Sequence, residues 1–251
     1  MTEELFRADS YLTACTATVS AIGPQGIVLD RTVFYPMGGG QAGDTGKLLV
    51  DGGLAAGREI LIADTRKYKD DEGRVTGDIC HLPAAVSADA AAMLAVGDTV
   101  TAGIDWQRRH RLMRFHTTTH LLCHLVPQLV NGCSITADYA RLDFNMTEPL
   151  DKEALTAGIA QLVAAGHPIH IGSISDAELD ANPALVKSMS VQPPRGSGSI
   201  RTVRIGQDVL IDLQPCGGTH VAHTGEIGAV VVTKIEKKSA TTRRVVLGFA
   251  A

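Results

Sequence analysis

Two pairs of metal-type side chains stand about a hundred residues apart: His116-Thr117-Thr118-Thr119-His120 and Cys216-Gly217-Gly218-Thr219-His220. Residues four apart on a helix share a face, so His116 and His120 can reach one metal ion. A thiolate and an imidazole four apart around two glycines form a second half-site of the kind zinc prefers. No glutamate follows His116, so the metalloprotease pattern, which needs that Glu as general base, does not apply. Ligands this distant converge only in a folded domain, unlike the local ligands of a zinc finger. The expectation is one zinc ion that serves a site rather than holding a small fold together.

The element that must carry the first pair is legible around it. From Trp106 to about Val130, Leu112, Phe115, Thr119, Leu122 and Val126 recur at helical spacing, with Asp105 as N-cap and Asn131-Gly132 as the stop. A strand pair is expected around 134–144, then a helix from Asp151 to Ala165, opened by Glu148-Pro149 and ended by Gly166. Ile169–Ser173 reads as a strand and Asp176–Val186 carries a weaker pattern. Strands are expected at Val203–Ile205, Val209–Asp212, Gly228–Glu236 and Arg243–Phe249, the last two joined by 237–242, with 192–200 as a flexible loop. This half is α+β, helices segregated against a mostly antiparallel sheet.

Before Asp105 the chain reads as short β-runs between turn signals: 17–22, Ile27–Asp30, Thr32–Tyr35, 47–53, Glu59–Asp64 and Thr99–Asp105. A glycine cluster occupies 38–40, and an Ala-rich stretch near 84–95 fits either a helical turn or a loop. Many short strands at close spacing suggest a small barrel. The expected division is therefore a barrel domain over 1–105 and a zinc-containing domain over 106–251.

The 251 residues are 45% hydrophobic and 20% charged, which suits a chain with a buried core and excludes general disorder. No run of 18 apolar residues offers a membrane span, and the acidic start MTEELFRADS is not a secretory signal. Five scattered cysteines, an odd number, argue against a disulfide framework and for a reducing compartment, the cytoplasm. The net charge of −4 divides unevenly: residues 1–105 hold 8 Lys+Arg against 15 Asp+Glu, giving −7, and residues 106–251 hold 15 against 12, giving +3. The second half is where a polyanion could dock.

With Asp9-Ser10-Tyr11-Leu12, the run from Leu29 through Tyr35-Pro36-Met37-Gly38-Gly39-Gly40-Gln41, Gly43-Asp44-Thr45-Gly46, Arg141-Leu142-Asp143-Phe144 and Lys234-Ile235-Glu236-Lys237-Lys238, the two motifs make a chain that resembles the free-standing alanyl-tRNA editing proteins, the AlaX group. These in turn resemble the editing domain of alanyl-tRNA synthetase. The resemblance runs from about residue 5 to the C-terminus, and the Gly38–Gln41 segment is similar to the medium-length class. It implies an α+β fold in which a small N-terminal β-barrel precedes a two-layer α/β editing domain. It also implies hydrolysis of the ester in Ser-tRNA(Ala), often Gly-tRNA(Ala) as well, with tRNA(Ala) as partner. His116, His120, Cys216 and His220 fall on the family's metal positions, for one Zn²⁺. Gly38 stands where a serine is common, and Cys133 precedes Ser134 where a glycine is usual.

Ester hydrolysis needs an activated water and stabilisation of an oxyanion. Four protein ligands usually close a structural site. Either one ligand gives way to water, or the zinc becomes five-coordinate, or the metal orients the substrate while a separate water attacks. Thr119 and His120 are the catalytic candidates; the Thr119 hydroxyl either meets the seryl group or the water, or packs within its helix. Gly38, Gly39 and Gly40 offer backbone N–H groups, Gln41 an amide and Ser134 a hydroxyl to the substrate. Reading serine against alanine requires such polar contacts, because size alone admits alanine. Arg108 and Arg109, with Arg111 and Arg114, lead into the zinc helix, and Lys237, Lys238, Arg243 and Arg244 cluster on the last hairpin, as candidate RNA phosphate contacts. His223 is a candidate partner for His220; the other histidines are read as ordinary. Two rivals share these residues: a related deacylase of the threonyl-tRNA editing type, and a non-catalytic, zinc-stabilised RNA-binding module.

Overall fold

Alternation builds the first half of the chain. Along Glu59–Lys69, Ile60 and Ile62 are buried while Glu59 and Leu61 are exposed, and along Gly46–Val50 only Leu48 and Val50 are buried. Such one-sided strands close into an antiparallel six-stranded barrel, in the order Ala14–Gly23, Gly26–Leu29, Val75–Pro83, Glu59–Lys69, Gly46–Val50, Thr99–Ile104 and back to the first. Leu29, Phe34, Leu48, Ile60 and Val100 fill its core. Closure leaves no open sheet edge. The strand Val75–Pro83 was not expected, and Glu59–Lys69 runs five residues past the expected Asp64. Conversely, the expected strand Thr32–Tyr35 shrinks to an Arg31–Thr32 ladder, because the N–H groups of Phe34 and Tyr35 go to side chains, Thr32 Oγ1 at 3.0 Å and Asp44 Oδ2 at 2.6 Å. The Ala-rich stretch forms a 3₁₀ turn at Ala85–Ser87 and a short helix at Ala88–Ala92.

The computed structural model describes residues 1–193, 195, 196 and 198–250; Pro194 and Ser197 of the expected 192–200 loop lie outside the described residues. The chain separates into two units, Met1–Gly38 with Ala42–Arg109, and Gly39–Gln41 with the residues from His110 on. The boundary falls inside the long helix Trp106–Leu125. Asp105 caps that helix through Oδ1, which accepts from Arg108 N at 3.0 Å. The helix ends at Leu125, short of the expected Val130. Pro127 follows, unable to donate and hostile to a helical residue before it, and Val130–Ile135 becomes a strand instead.

In the second unit, Val230–Ser239, Thr242–Phe249, Ala140–Asn145 and Val130–Ile135 form one antiparallel sheet in that order, and Ile169–Ile174, Ile200–Ile205 and Asp212–Pro215 form another. The helix Lys152–Ala164 is capped by Asp151 and followed by Gly166 at φ +64°. Its Gly158 meets the end of the long helix: a Cβ there would lie 2.9 Å from Leu125 Cδ2. Phe115 stacks on Phe249 with centroids 4.2 Å apart, joining helix to sheet. The expected strand at Val209–Asp212 begins only at Asp212; Gly206 turns at φ +91°, leaving Val209 and Leu210 exposed. Among the described residues, no helix is long and apolar enough to cross a membrane.

Candidate metal centre

The helix delivers His116 and His120 on one buried face, and the turn after Asp212–Pro215 delivers Cys216 and His220. One ligand atom from each lies within 4.8 Å of every other. Cys216 Sγ sits 3.5 Å from His116 Nε2 and 3.3 Å from His220 Nε2. Tetrahedral zinc with ordinary Zn–N and Zn–S bonds places a sulfur and a nitrogen about 3.5 Å apart, so the donor set fits that ion in chemistry and spacing.

Each imidazole is fixed through its other nitrogen, as metal-binding histidines require. His116 Nδ1 meets Gln41 Oε1 at 2.7 Å, His120 Nδ1 meets Asp212 Oδ2 at 2.8 Å, and His220 Nδ1 meets Thr117 Oγ1 at 3.2 Å. Gln41 is itself fixed, its Nε2 donating to Thr219 Oγ1 and its Oε1 accepting from Thr219 N. Gly218 leaves room for this arrangement: a Cβ there would stand 2.1 Å from His116 Cε1.

Of the five cysteines only Cys216 has its thiol favoured as thiolate. Burial pushes its pKa up, but electrostatic interaction with the neighbouring imidazoles and hydrogen bonds from the histidines outweigh burial and hold it well below the ordinary range. Burial alone dominates elsewhere, lifting Cys80 to about 11 and Cys123 and Cys133 to about 12. Burial opposes charge on His120 too, yet its bond to Asp212 and the proximity of Cys216 raise it to about 9 in the metal-free cluster.

Other candidates fall elsewhere. Thr119 is buried and its hydroxyl donates to the His116 carbonyl at 2.7 Å, a bond internal to the helix. Gln41, expected to face substrate, is fully buried and serves His116 instead. Gly40 lies against Cys133, where a Cβ would meet Sγ at 2.9 Å, and Gly40 O accepts from Ile135 N beside the half-buried Ser134. Gly39 is exposed, and Gly38, in the first unit, accepts the Tyr35 hydroxyl. His223 sits 3.6 Å from Glu226, and Thr117 rather than His223 holds His220.

The cationic candidates divide sharply. Arg109 is not a phosphate contact: it is 0% exposed, locked to Asp44. Arg243 is also buried, spent on the carbonyls of Ser239 and Thr147. Arg244 is neutralised by Asp143 through two bonds, at 2.6 and 2.8 Å. Arg108 gives Nη1 to the Gly43 carbonyl, while Lys237 and Lys238 are exposed. Sequence reasoning missed Thr117, Lys187, Asp212, Gln214 and the steric role of Gly218. Asp212, Gln214 and Cys216 alternate along one extended stretch, and that period of two was the available signal.

Two family descriptions match the chain. "tRNA synthetases class II (A)" covers residues 8–108, the barrel, and "Threonyl and Alanyl tRNA synthetase second additional domain" covers 200–246, the stretch with Cys216 and His220. Fold and site thus define a protein with two tRNA-synthetase-type segments, the second of which carries two residues of a metal-type cluster. The chain is 33% identical to the alanyl-tRNA editing protein AlaX-M of Methanosarcina acetivorans, over 97% of each, and 32% identical to AlaX-M of Saccharolobus solfataricus, over 98% of each. It also matches 25% of the alanine–tRNA ligase of Saccharolobus islandicus, at 31% identity over 94% of this chain. The chain belongs to the AlaX-M family of alanyl-tRNA editing proteins.

Proposed function

We propose that the protein is a zinc-dependent trans-editing hydrolase that cleaves the ester of mischarged tRNA(Ala), chiefly Ser-tRNA(Ala) and also Gly-tRNA(Ala). AlaX editing proteins are aminoacyl-tRNA-deacylating hydrolases, and the chain matches them end to end. The observation that carries the metal dependence is the cluster itself, three imidazoles and one favoured thiolate at zinc spacing, each imidazole oriented from behind. Held by His116, His120, Cys216 and His220, zinc supplies Lewis acidity for ester hydrolysis.

The remaining work falls to the chain. The three histidines are buried and Cys216 is part-exposed, so substrate approaches from the Cys216 side. Gly39 and Gly40 offer backbone N–H groups there, and Ser134 a hydroxyl that reads the seryl side chain. A polar group left unpaired by alanine gives the discrimination that shape alone cannot. Lys237 and Lys238 contact phosphates of the acceptor arm, contributing position and salt sensitivity. In this reading residues 106–251 form the editing domain, 1–105 the accompanying barrel, and the protein works in the cytoplasm.

The test is deacylation of Ser-tRNA(Ala) beside Ala-tRNA(Ala) by wild type, by Cys216→Ala, and by metal-stripped protein still folded by circular dichroism. Selective loss of the seryl ester, abolished in both altered samples, is expected. No hydrolysis by zinc-loaded wild type would remove the proposal. Hydrolysis of Ser-tRNA(Thr) in its place would shift the reading to the threonyl type.

A further inference from the structure

The three imidazoles are not anchored alike. His116 leans on an amide oxygen and His220 on a hydroxyl, both neutral, whereas His120 donates to a carboxylate. That carboxylate, Asp212, has no exposed side-chain surface. A buried carboxylate is tolerated only when its oxygens are hydrogen-bonded and its charge is met. Oδ2 takes His120 Nδ1 and Gln214 Nε2, both at 2.8 Å, and Oδ1 takes the ammonium of Lys187.

Lys187 is placed for this by its backbone. Its carbonyl accepts from Val130 N at 2.8 Å, and Met189 N donates back to Val130 O at 2.9 Å, so the segment is stitched to the outer strand of the four-stranded sheet. That strand also bridges through Ile135 to Gln41, the residue behind His116. One strand therefore braces the supports of two ligands.

We infer that Lys187 is a positioning residue of the metal centre: by holding Asp212 Oδ1 it keeps Oδ2 on His120 Nδ1 and so aims His120 Nε2 at the metal position. The geometry supports it, since Oδ1 is the oxygen that His120 and Gln214 leave to another donor, and the Lys187 ammonium meets it there. Without the ammonium, Oδ1 loses its donor and the carboxylate is held through Oδ2 alone, by His120 and Gln214. The inference rests on reading the cluster as a zinc site.

The test measures the zinc ion itself by competition against a chromophoric chelator, at one pH, for wild type, Lys187→Met, Lys187→Arg and Lys187→Gln. Lys234→Met, which deletes a surface lysine paired with Glu236, controls for loss of charge. Urea unfolding of the metal-free proteins runs alongside. Loss of an outer hydrogen-bond partner typically weakens metal binding about 10–100-fold, and that loss is expected for Lys187→Met and Lys187→Gln, with Lys187→Arg recovering most of it. Lys234→Met should bind as wild type does. If wild type holds zinc and Lys187→Met and Lys187→Gln hold it equally well, whatever their unfolding midpoints, the positioning role is wrong. If wild type holds no zinc, the metal reading fails first.

Discussion

Replacing Arg109 by methionine separates a structural cation from an RNA contact. In the folded protein Arg109 Nε lies 3.0 Å from both Asp44 oxygens, Nη2 reaches Asp44 and the Val33 carbonyl, and Nη1 reaches the Ser10 carbonyl at 3.0 Å. Methionine keeps the stem and deletes every donor. It leaves a carboxylate that is 1% exposed with one backbone N–H, from Tyr35, and two carbonyls without this donor. Removing one member of a buried ion pair costs about 3–5 kcal/mol. With a urea dependence of about 2 kcal/mol per molar, the midpoint should fall by about 2 M. Trp106 makes the assay local, because it is the sole tryptophan, lies in the barrel unit and sits 5.5 Å from Tyr11. The double variant Asp44→Leu/Arg109→Met should regain part of the loss, since no charge is then buried alone. A variant as stable as wild type that binds tRNA with a salt slope shallower by about 1 would refute the burial argument and return Arg109 to the RNA surface.

Gly218→Ala should cost zinc affinity about 10–100-fold or more, by chelator competition, because the new methyl carbon occupies space 2.1 Å from His116 Cε1 and 2.4 Å from Nδ1; unchanged affinity would show that His116 is not held there. His81 is buried between the Ile27 carbonyl and Thr32, and burial lowers its pKa to about 4. The unfolded chain therefore binds the proton first, near 6.5, and barrel stability falls as pH drops from there towards 4. The loss approaches about 3 kcal/mol, read by urea midpoints on Trp106, and His81→Gln should flatten that limb. Lys237→Gln with Lys238→Gln should reduce the salt slope of tRNA binding by about 2 and leave zinc content alone, whereas Arg243→Gln should lower the unfolding midpoint.

Local physics was legible in the sequence. The helix start at Asp105, the cap at Asp151, the close of the second helix at Gly166 and the four-residue spacing of both ligand pairs depend on neighbours within one or two turns. What escaped depended on distant partners. Arg109 looks like Arg108 until Asp44, 65 residues away, is known to face it. Gln41 looked like a substrate-facing amide because its partners, His116 and Thr219, lie 75 and 178 residues on. The strand Val75–Pro83 hid behind Gly77 and Asp78, which break the alternation. Val209 and Leu210 misled the other way, apolar residues that sit on a turn in water.

The tripeptide Gly39–Gln41 belongs to the unit whose other residues begin at His110. Synthesis therefore lays down the support of His116 between two parts of the barrel unit, with Ala42–Arg109 of that unit made before the rest of the helix, and the Cys216–His220 turn later still. The metal centre cannot be complete on a chain still being made until His220 has emerged. Nor can the second half be cut out as a module at residue 106 without losing the amide that orients its first ligand. Any such minimal editing fragment has to carry a piece of the N-terminal half with it, and the barrel's own sequence is what lies in between.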